Sequence, residues 1–191
     1  MWRNEYPPGC PTHQEQPYAF KHVAFDMSAA RGNGATLWCD SSVWFIKPLD
    51  ALFAEIEERG YWFMTQGWQV GTWCTDEVLP KLGTNRDEAF KMVMVTACMY
   101  GLDVTSDVGR EVLDWMRARC ADGSFRGPWQ IDDGKAEDDP TKVRGHRHDQ
   151  TALSVIVHKL GLKVDHCPGY LQYNYGEPAA EPEAVALARG M

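Results

Sequence analysis

The sequence predicts an α/β fold, and three kinds of observation support this class. Short apolar runs of strand length recur in the first third of the chain, at residues 35–39, 43–46 and 61–64. Longer segments place apolar residues at helical spacing on one face, at residues 20–30, 49–56, 108–120 and 153–160. Glycine commonly ends a helix, and Gly60 and Gly161 follow two of these segments. Strands and helices that alternate along one chain are typical of α/β domains.

Length and composition predict one globular domain followed by a short tail. A chain of 191 residues with 44% hydrophobic residues is long enough to bury a substantial core. Residues 177–191 are rich in Ala, Glu and Pro, a composition typical of frayed chain ends. The sequence therefore predicts a domain over residues 1–176 and a flexible tail over residues 177–191.

Charge and cysteine content narrow the expected partners and location. Acidic residues outnumber basic ones, 27 to 19, for a formal charge of -8, which argues against nucleic acid or an anionic membrane as the main partner. No stretch approaches the ~20 apolar residues of a membrane span, and the N-terminus lacks the apolar core of a signal peptide. The six cysteines lack disulfide-like spacing. We therefore expect a reducing, cytoplasmic location and no transmembrane segment.

Helix, strand and turn signals set the predicted elements of the first half. Their order is a proline-rich loop at 1–17, a helix from Pro17 to Gly32, strands at 35–39 and 43–46, a helix from Pro48 to Gly60, a strand at 61–64, an aromatic loop at 65–73 and a short helix at 76–82. Proline suits the first turn of a helix, where an N–H would have no partner in any case. Two glycines among the aromatics, Gly67 and Gly71, favour a loop at 65–73.

The second half is predicted by the same signals. Its order is a charged turn at 86–88, an apolar run at 92–99, a helix capped by Ser106 or Asp107, an irregular segment at 121–145, a helix ending at Gly161, a strand at 162–164 and an aromatic stretch with Tyr170, Tyr173 and Tyr175. An irregular segment as long as 121–145 is unusual in a compact domain and often forms a lid or a binding loop. Its acidic tract at 132–139 is most simply a solvated loop.

Asp40 directly follows the first predicted strand, in the segment Leu-Trp-Cys-Asp-Ser-Ser at residues 37–42. In open α/β sheets, ligands bind just beyond the carboxyl ends of the strands. Asp40 is therefore the predicted floor of a ligand site, where a carboxylate meets a metal-bound diphosphate or a ribose hydroxyl. The alternative is a turn residue between two strands, because Asp-Ser-Ser is also ordinary turn chemistry.

The densest set of polar and titratable groups is His146-Arg147-His148-Asp149-Gln150, at the start of the last predicted helix. A helix N-terminus has free N–H groups and the positive end of the dipole, which favour anions such as phosphate. His146 and His148 with a carboxylate would instead suit zinc in a hydrolase. In a third interpretation Asp149 caps the helix and the histidines face solvent.

Trp68 and Trp73 lie in the glycine-containing segment at 65–73. A single tryptophan is most often part of the core. In a loop, however, tryptophan side chains often stack on sugars or bases. The sequence leaves both interpretations open for this segment.

Four segments carry a resemblance to a known family: Pro-Tyr-Ala-Phe-Lys at 17–21, Leu-Trp-Cys-Asp-Ser-Ser at 37–42, Phe-Ile-Lys-Pro-Leu-Asp-Ala-Leu-Phe at 45–53 and His-Asp-Gln-Thr-Ala-Leu-Ser at 148–154. In this order they resemble GT-A-type glycosyltransferases of the nucleotide-diphospho-sugar transferase superfamily. In those enzymes a strand ends in an Asp-x-Asp motif, and a later Asp-Gln begins a helix near the donor sugar. The resemblance implies a GT-A-like mixed sheet flanked by helices, here N-terminally incomplete because the nucleotide-binding strand is missing.

The same resemblance implies roles for individual residues. Asp40 corresponds to the first Asp of Asp-x-Asp, and Ser42 stands in place of the second. Mn²⁺ or Mg²⁺ would bind weakly at Asp40, because a hydroxyl is a poorer ligand for these ions than a carboxylate. Asp149, as orienting group or base, and His148, as its hydrogen-bonding or metal-contacting neighbour, are the implied catalytic residues. The implied substrate-binding residues are Lys21, Asp40, Ser42, Trp73, His146 and Gln150.

The function implied is transfer of a sugar from a nucleotide-diphospho-sugar to an acceptor hydroxyl, with the donor and acceptor as partners. The first alternative is a non-catalytic nucleotide- or carbohydrate-binding remnant of that fold, which Asp-Ser-Ser in place of Asp-x-Asp favours. The second alternative is a zinc-dependent hydrolase using His146 and His148. The transferase and remnant hypotheses both require Asp40 and Asp149 to line one cleft.

Overall fold

The computed structural model describes residues 6–166, 170–174 and 184–189. The helices are α1 Phe20–Ala30, α2 Asp50–Arg59, α3 Arg86–Ala89, α4 Asp107–Ala121 and α5 His148–Lys159, with a 3₁₀ helix at Val70–Trp73. The strands are β1 Ala35–Cys39, β2 Val43–Phe45, β3 Tyr61–Trp62, β4 Met64–Gln69, β5 Val93–Val95, β6 Met99–Asp103, β7 Asp165–His166, β8 Leu171–Asn174 and β9 Ala186–Arg189. This mixture of helices and strands confirms the predicted α/β class at the coarse level, whereas the GT-A-like arrangement of one mixed sheet stays a prediction.

The described strands form three small sheets. The first has the order β1-β6-β3, and both of its pairs are antiparallel. The second, β2-β9-β8, and the third, β5-β4-β7, each combine an antiparallel and a parallel pair. Asp40 therefore follows an edge strand of an antiparallel sheet, whereas the strand-end rule that singled it out describes parallel sheets.

The main hydrophobic core is built around α5, which packs against α4 and β5, while α1 packs against α4. α5 is buried almost all round, because the residues from His148 to Val157 are buried except Gln150. A smaller second cluster lies beneath α2 and contains Ile56, Trp62 and Leu171. Each large apolar side chain that is fully buried contributes about 1.5–3 kcal/mol. None of the described helices combines the length and apolar character that a membrane crossing requires.

Two predicted helix boundaries have clear local causes. α2 ends at Gly60, whose φ of 81° lies in the left-handed region that glycine adopts without a Cβ clash, and the Gly60 N–H donates to Ile56 O at 2.8 Å. α4 begins after Ser106, whose hydroxyl accepts from the Gly109 N–H at 3.0 Å. The sequence signals for these two helices are therefore confirmed.

The region between residues 65 and 90 differs from the prediction. β4 continues to Gln69 and a 3₁₀ helix follows, where a loop was expected. Gly67, at φ 87°, lies where the register of β4 against β5 shifts, so the strand continues through an irregularity. The segment at 76–82 consists of turns instead of a helix, and Pro80 has no N–H to donate within it. The predicted turn at 86–88 is instead part of α3, because the Asn85 side chain accepts from the Glu88 N–H.

The C-terminal stretch also departs from expectation. Residues 186–189, which lie in the segment expected to be a frayed tail, form β9 between β2 and β8. Ala186 and Ala188 are buried there. The strand expected at 162–164 lies slightly later, as β7 at Asp165–His166. Tyr175 lies outside the described residues.

Candidate functional site

Three charged side chains from distant parts of the chain meet at one point. Lys21 lies in the first turn of α1, Asp40 directly after β1, and Asp149 in the first turn of α5. Lys21 Nζ is 3.0 Å from Asp149 Oδ2 and 3.7 Å from Asp40 Oδ1. The two carboxylates that the sequence singled out therefore lie on either side of one ammonium group.

Asp149 is the buried member of this cluster, with 2% of its surface exposed. Burial raises its pKa, although the nearby Lys21 ammonium opposes that effect. No described group donates a directed hydrogen bond to Asp149 Oδ2, so the ion pair with Lys21 is what compensates its charge. Its side chain does not cap α5, because the cap position is Arg147 and has no side-chain cap hydrogen bond. The charge of this buried carboxylate therefore depends on one lysine.

Asp40 is the exposed member of the cluster, with 35% of its side chain accessible. The Trp38 Nε1–H donates to Asp40 Oδ1 at 2.7 Å and fixes the carboxylate over the end of β1. A ligand can therefore approach the Asp40 carboxylate from solvent, while the hydrogen bond from Trp38 keeps that carboxylate oriented. Ser42 is exposed in the turn that follows and takes no part in the ion-pair cluster.

Lys21 is buried, and its ammonium group also donates to Ala97 O at 2.8 Å. Burial lowers the pKa of Lys21, but the carboxylates of Asp149 and Asp40 outweigh it and the net change is upward. The group therefore stays charged at neutral pH. The predicted contact between Lys21 and a diphosphate is therefore not direct, because the oxygens of Ala97, Asp40 and Asp149 already surround the ammonium group.

The residues around Asp40 fit Mn²⁺ or Mg²⁺ poorly. A hard divalent cation prefers several oxygen ligands, and carboxylates above all. Asp40 offers one carboxylate, Ser42 is in the exposed turn, and the Lys21 ammonium 3.7 Å away would repel a second cation. In the part of the chain that the structure describes, no group of three or more His, Cys, Asp or Glu residues is arranged to hold a metal ion.

His146 and His148 are both buried, and each ring is held by a backbone carbonyl. His146 Nε2 lies 2.9 Å from Ser124 O, and His148 Nδ1 lies 2.7 Å from Phe125 O. Burial lowers the pKa of His146 to about 4 and also lowers the pKa of His148, so both rings are neutral at pH 7. With Nδ1 donating to Phe125 O, His148 keeps an unprotonated Nε2, which suits a proton acceptor. Within the described residues, His146 and His148 are not part of a group of three or more His, Cys, Asp or Glu side chains that could hold a metal ion, and the zinc alternative stays a prediction.

Two strained residues face each other beside the cluster. Tyr18 and His148 are the non-glycine residues with positive φ in the described chain, at 62° and 49°, and their rings lie 5.6 Å apart. Such backbone strain is costly and is concentrated at functional sites. The Tyr18 ring also lies 4.9 Å from Lys21 Nζ, and burial raises the pKa of its hydroxyl. Sequence reasoning missed Tyr18, since no local residue pattern signals a positive φ at a tyrosine.

Arg147 fixes the start of α5 through two tryptophans. Its guanidinium lies 3.6 Å from the centre of the Trp73 ring and 3.7 Å from that of Trp129, and it donates to Trp129 O. Burial lowers the pKa of Arg147 to about 10, so it remains charged at neutral pH. Trp73, a predicted substrate-binding residue, therefore holds Arg147 with one face. The Gln150 amide is likewise used within the protein, donating to Val95 O at 2.8 Å.

Together these contacts place a partly exposed, oriented carboxylate next to a buried ion pair, and Tyr18 links the neutral imidazole of His148 to the same lysine. Such a set can accept hydrogen bonds from hydroxyl groups, take up a proton and stabilise nearby negative charge. Comparison with known proteins adds no identification: a scan against protein-family models and a search of curated proteins both give no match for this chain.

Proposed function

We propose that this protein transfers a sugar from a nucleotide-diphospho-sugar to an acceptor hydroxyl, on a GT-A-like fold. The observation that carries the proposal is the meeting of Asp40 and Asp149 on Lys21. These residues come from the segments on which the resemblance to GT-A enzymes rests. The hypothesis required Asp40 and Asp149 to line one cleft, and its support is that they meet at one ammonium group, with Asp40 partly exposed and Asp149 buried.

Asp40 is the residue proposed to bind the donor. Its half-exposed carboxylate accepts hydrogen bonds from hydroxyls of the ribose or of the transferred sugar. The leaving diphosphate gains negative charge as the glycosidic bond breaks. The N-terminal end of α5, which carries the positive end of the helix dipole next to the Lys21–Asp149 pair, is the part proposed to stabilise that charge.

His148 is the proposed base, and Asp149 orients the site. The acceptor oxygen attacks the anomeric carbon, the bond from that carbon to the diphosphate oxygen breaks, and the acceptor proton passes to His148 Nε2. The nucleoside diphosphate leaves with the bonding electron pair. Burial lowers the pKa of His148, so its ring is unprotonated at neutral pH and Nε2 is free to accept the proton.

The test is an assay of the purified protein against a panel of nucleotide sugars, with release of the nucleoside diphosphate as the readout. We expect His148→Gln to lower the rate by about 10²–10⁴-fold, the usual contribution of a general base, and Asp40→Asn to weaken binding of the donor. Asp76→Asn is the control, because Asp76 is exposed and pairs with Arg86 away from the site. Full activity in both Asp40→Asn and Asp149→Asn would remove the proposed site.

A second candidate is a binding module without turnover. The deep burial of Asp149 and its pairing with Lys21 favour it, because a buried ion pair can serve structure alone. Calorimetry separates the two candidates. Heat of binding with a nucleotide sugar, without release of nucleoside diphosphate over hours, supports the module and contradicts the transferase.

A further inference from the structure

A groove lies next to the start of α5 and is separate from the Lys21 cluster. Its volume is about 420 Å³, within the range of about 300–1,000 Å³ typical of small-molecule sites. One wall comes from β4 and the 3₁₀ helix and includes Trp68 and Trp73. The other wall comes from the loop at 137–140 together with Arg144. Neither the Lys21 ion pairs nor the proposed transfer chemistry uses this groove.

Trp68 gives the groove an aromatic surface that is exposed to solvent and is not part of the hydrophobic core. It is 46% exposed, and its ring centre lies 5.6 Å from that of Trp73 at an angle of 37°. The face of an indole ring carries partial negative charge and attracts the polarised C–H groups of a sugar ring. Exposed tryptophans lining a concave surface are thus suited to stacking on a saccharide.

The charges of the groove select against anions. Three carboxylates line it, those of Glu137, Asp138 and Asp139, against the single guanidinium of Arg144. Glu137 already pairs with Lys142 at 2.9 Å and with Arg144 at 3.4 Å. The remaining carboxylates repel phosphate and sulfate, so the nucleotide donor does not fit here. Carboxylate oxygens, with the amide of Gln69 and the hydroxyl of Thr72, match the hydroxyl groups of a neutral sugar.

The backbone connects this groove to the candidate site. The Arg147 N–H and the Thr151 hydroxyl both donate to Trp73 O, at 3.1 and 2.8 Å. Trp73 therefore lines the groove and also holds the residue that precedes His148. A molecule stacked on Trp68 and Trp73 would therefore be separated from the start of α5 by the contact between Trp73 and Arg147.

We propose that this groove binds a neutral oligosaccharide. Its role as the acceptor of sugar transfer rests on the proposed function, whereas the binding itself does not. The occupant is identified by three features of the groove: an exposed indole face, several hydrogen-bonding oxygens and an excess of negative charge.

The experiment uses the full chain and a panel of neutral gluco-, manno-, galacto- and chito-oligosaccharides, with saturation-transfer NMR as the readout. We expect at least one to bind, and Trp68→Ala to weaken its binding at least tenfold. Trp44→Ala is the matched control, because Trp44 is 43% exposed but lies on β2, outside the groove. The Trp44→Ala variant should bind the oligosaccharide as tightly as the wild type does. Circular dichroism checks that both variants fold.

Three outcomes would overturn the proposal: no binding by any neutral oligosaccharide, equal binding by Trp68→Ala and the wild type, or binding of choline or spermidine in place of saccharides. Asp138→Lys adds a test of charge, since it should admit a sulfated oligosaccharide that the wild type excludes. Donor binding is measured separately with a nucleotide sugar and Asp40→Asn. Failure of the groove proposal and failure of the proposed transferase therefore give different results.

Discussion

Lys21 and His146 are both buried, yet they carry different charges at neutral pH. Lys21 keeps its proton because the carboxylates of Asp149 and Asp40 face it and raise its pKa against the effect of burial. The His146 ring has the Ser124 carbonyl as its hydrogen-bond partner and the His148 ring at its edge, with no carboxylate among the described groups that shift its pKa, and burial lowers that pKa to about 4. At the scale of single residues, a facing carboxylate thus decides which buried base stays charged.

We expect His146 alone to make the free energy of unfolding fall by about 3 kcal/mol as the pH drops from 6.5 to about 4. The unfolded chain binds this proton near pH 6.5 and the folded chain only near pH 4, so acid favours unfolding. Urea unfolding at pH 7 and at pH 4 measures the loss. His146→Gln, which keeps a donor for Ser124 O, should lose about 3 kcal/mol less than the wild type. Equal losses in the two proteins would contradict the assignment.

The sequence indicated Lys21, Asp40 and Asp149 as site residues, and the structure brings their side chains together. It indicated them through their positions at the ends of predicted elements and through the order of short motifs, both of which can be read directly along the chain. Tyr18 and Trp129 could not be found in this way. Their roles depend on a strained backbone and on a stack with Arg147, which exist only after distant segments have packed.

At the scale of elements, the two ends of the irregular segment before α5 are joined to each other by backbone hydrogen bonds. The Ile131 N–H donates to Arg144 O at 2.9 Å, and the His146 N–H donates to Pro128 O at 2.8 Å. This closes the irregular segment over the start of α5 and places Trp129 beside Arg147. Gly145 lies between the two hydrogen-bonded residues Arg144 and His146, and a Cβ at this position would collide with the carbonyl of Trp129.

We expect Gly145→Ala to lower the free energy of unfolding by about 1–3 kcal/mol, because backbone atoms must move to admit the methyl group. The shift moves Trp129 away from Arg147, so the variant should also change the tryptophan fluorescence of the folded protein. Urea unfolding measures both effects. Gly34→Ala is the control, since its Cβ would have its nearest neighbour, Asp103 Oδ1, at 3.4 Å. If Gly145→Ala were as stable as this control, the close approach of Gly145 to the Trp129 carbonyl would be disproved.

Elements with strong local signals were predicted well, and elements defined by pairing were not. α4 has an N-cap serine and an apolar face, and both are visible in the sequence. β9 has neither: its residues Ala-Leu-Ala-Arg have weak strand propensity, and it forms because β2 and β8 provide partners on both sides. The strand is fixed by contacts between parts of the chain that are far apart in sequence.

At the scale of the whole molecule, Lys21 joins three distant parts of the chain. Its ammonium contacts Ala97 O, Asp40 and Asp149, which lie between β5 and β6, after β1 and in α5. Removing one partner of a buried ion pair leaves the other charge buried and uncompensated, which usually costs about 3–5 kcal/mol.

We therefore expect Lys21→Met to lower the free energy of unfolding by about 3–5 kcal/mol at pH 7, measured by urea unfolding. Part of that loss should return in acid, where Asp149 is protonated. The double variant Lys21→Met/Asp149→Leu should recover much of the stability, because no buried charge is left. Lys91→Met is the control, since Lys91 is exposed. A loss as small as that of the control would show that the cluster does not hold the fold together.

The same lysine sets an order of events during synthesis. Lys21 leaves the ribosome long before Asp149, so α1 cannot dock with its ammonium buried until α5 has been made. Until then we expect α1 to be held only by its contacts with β1 and α4, which are made earlier, and incompletely folded segments of this kind are open to chaperones. A ribosome-bound chain that stops before α5 should therefore remain open to proteases at α1.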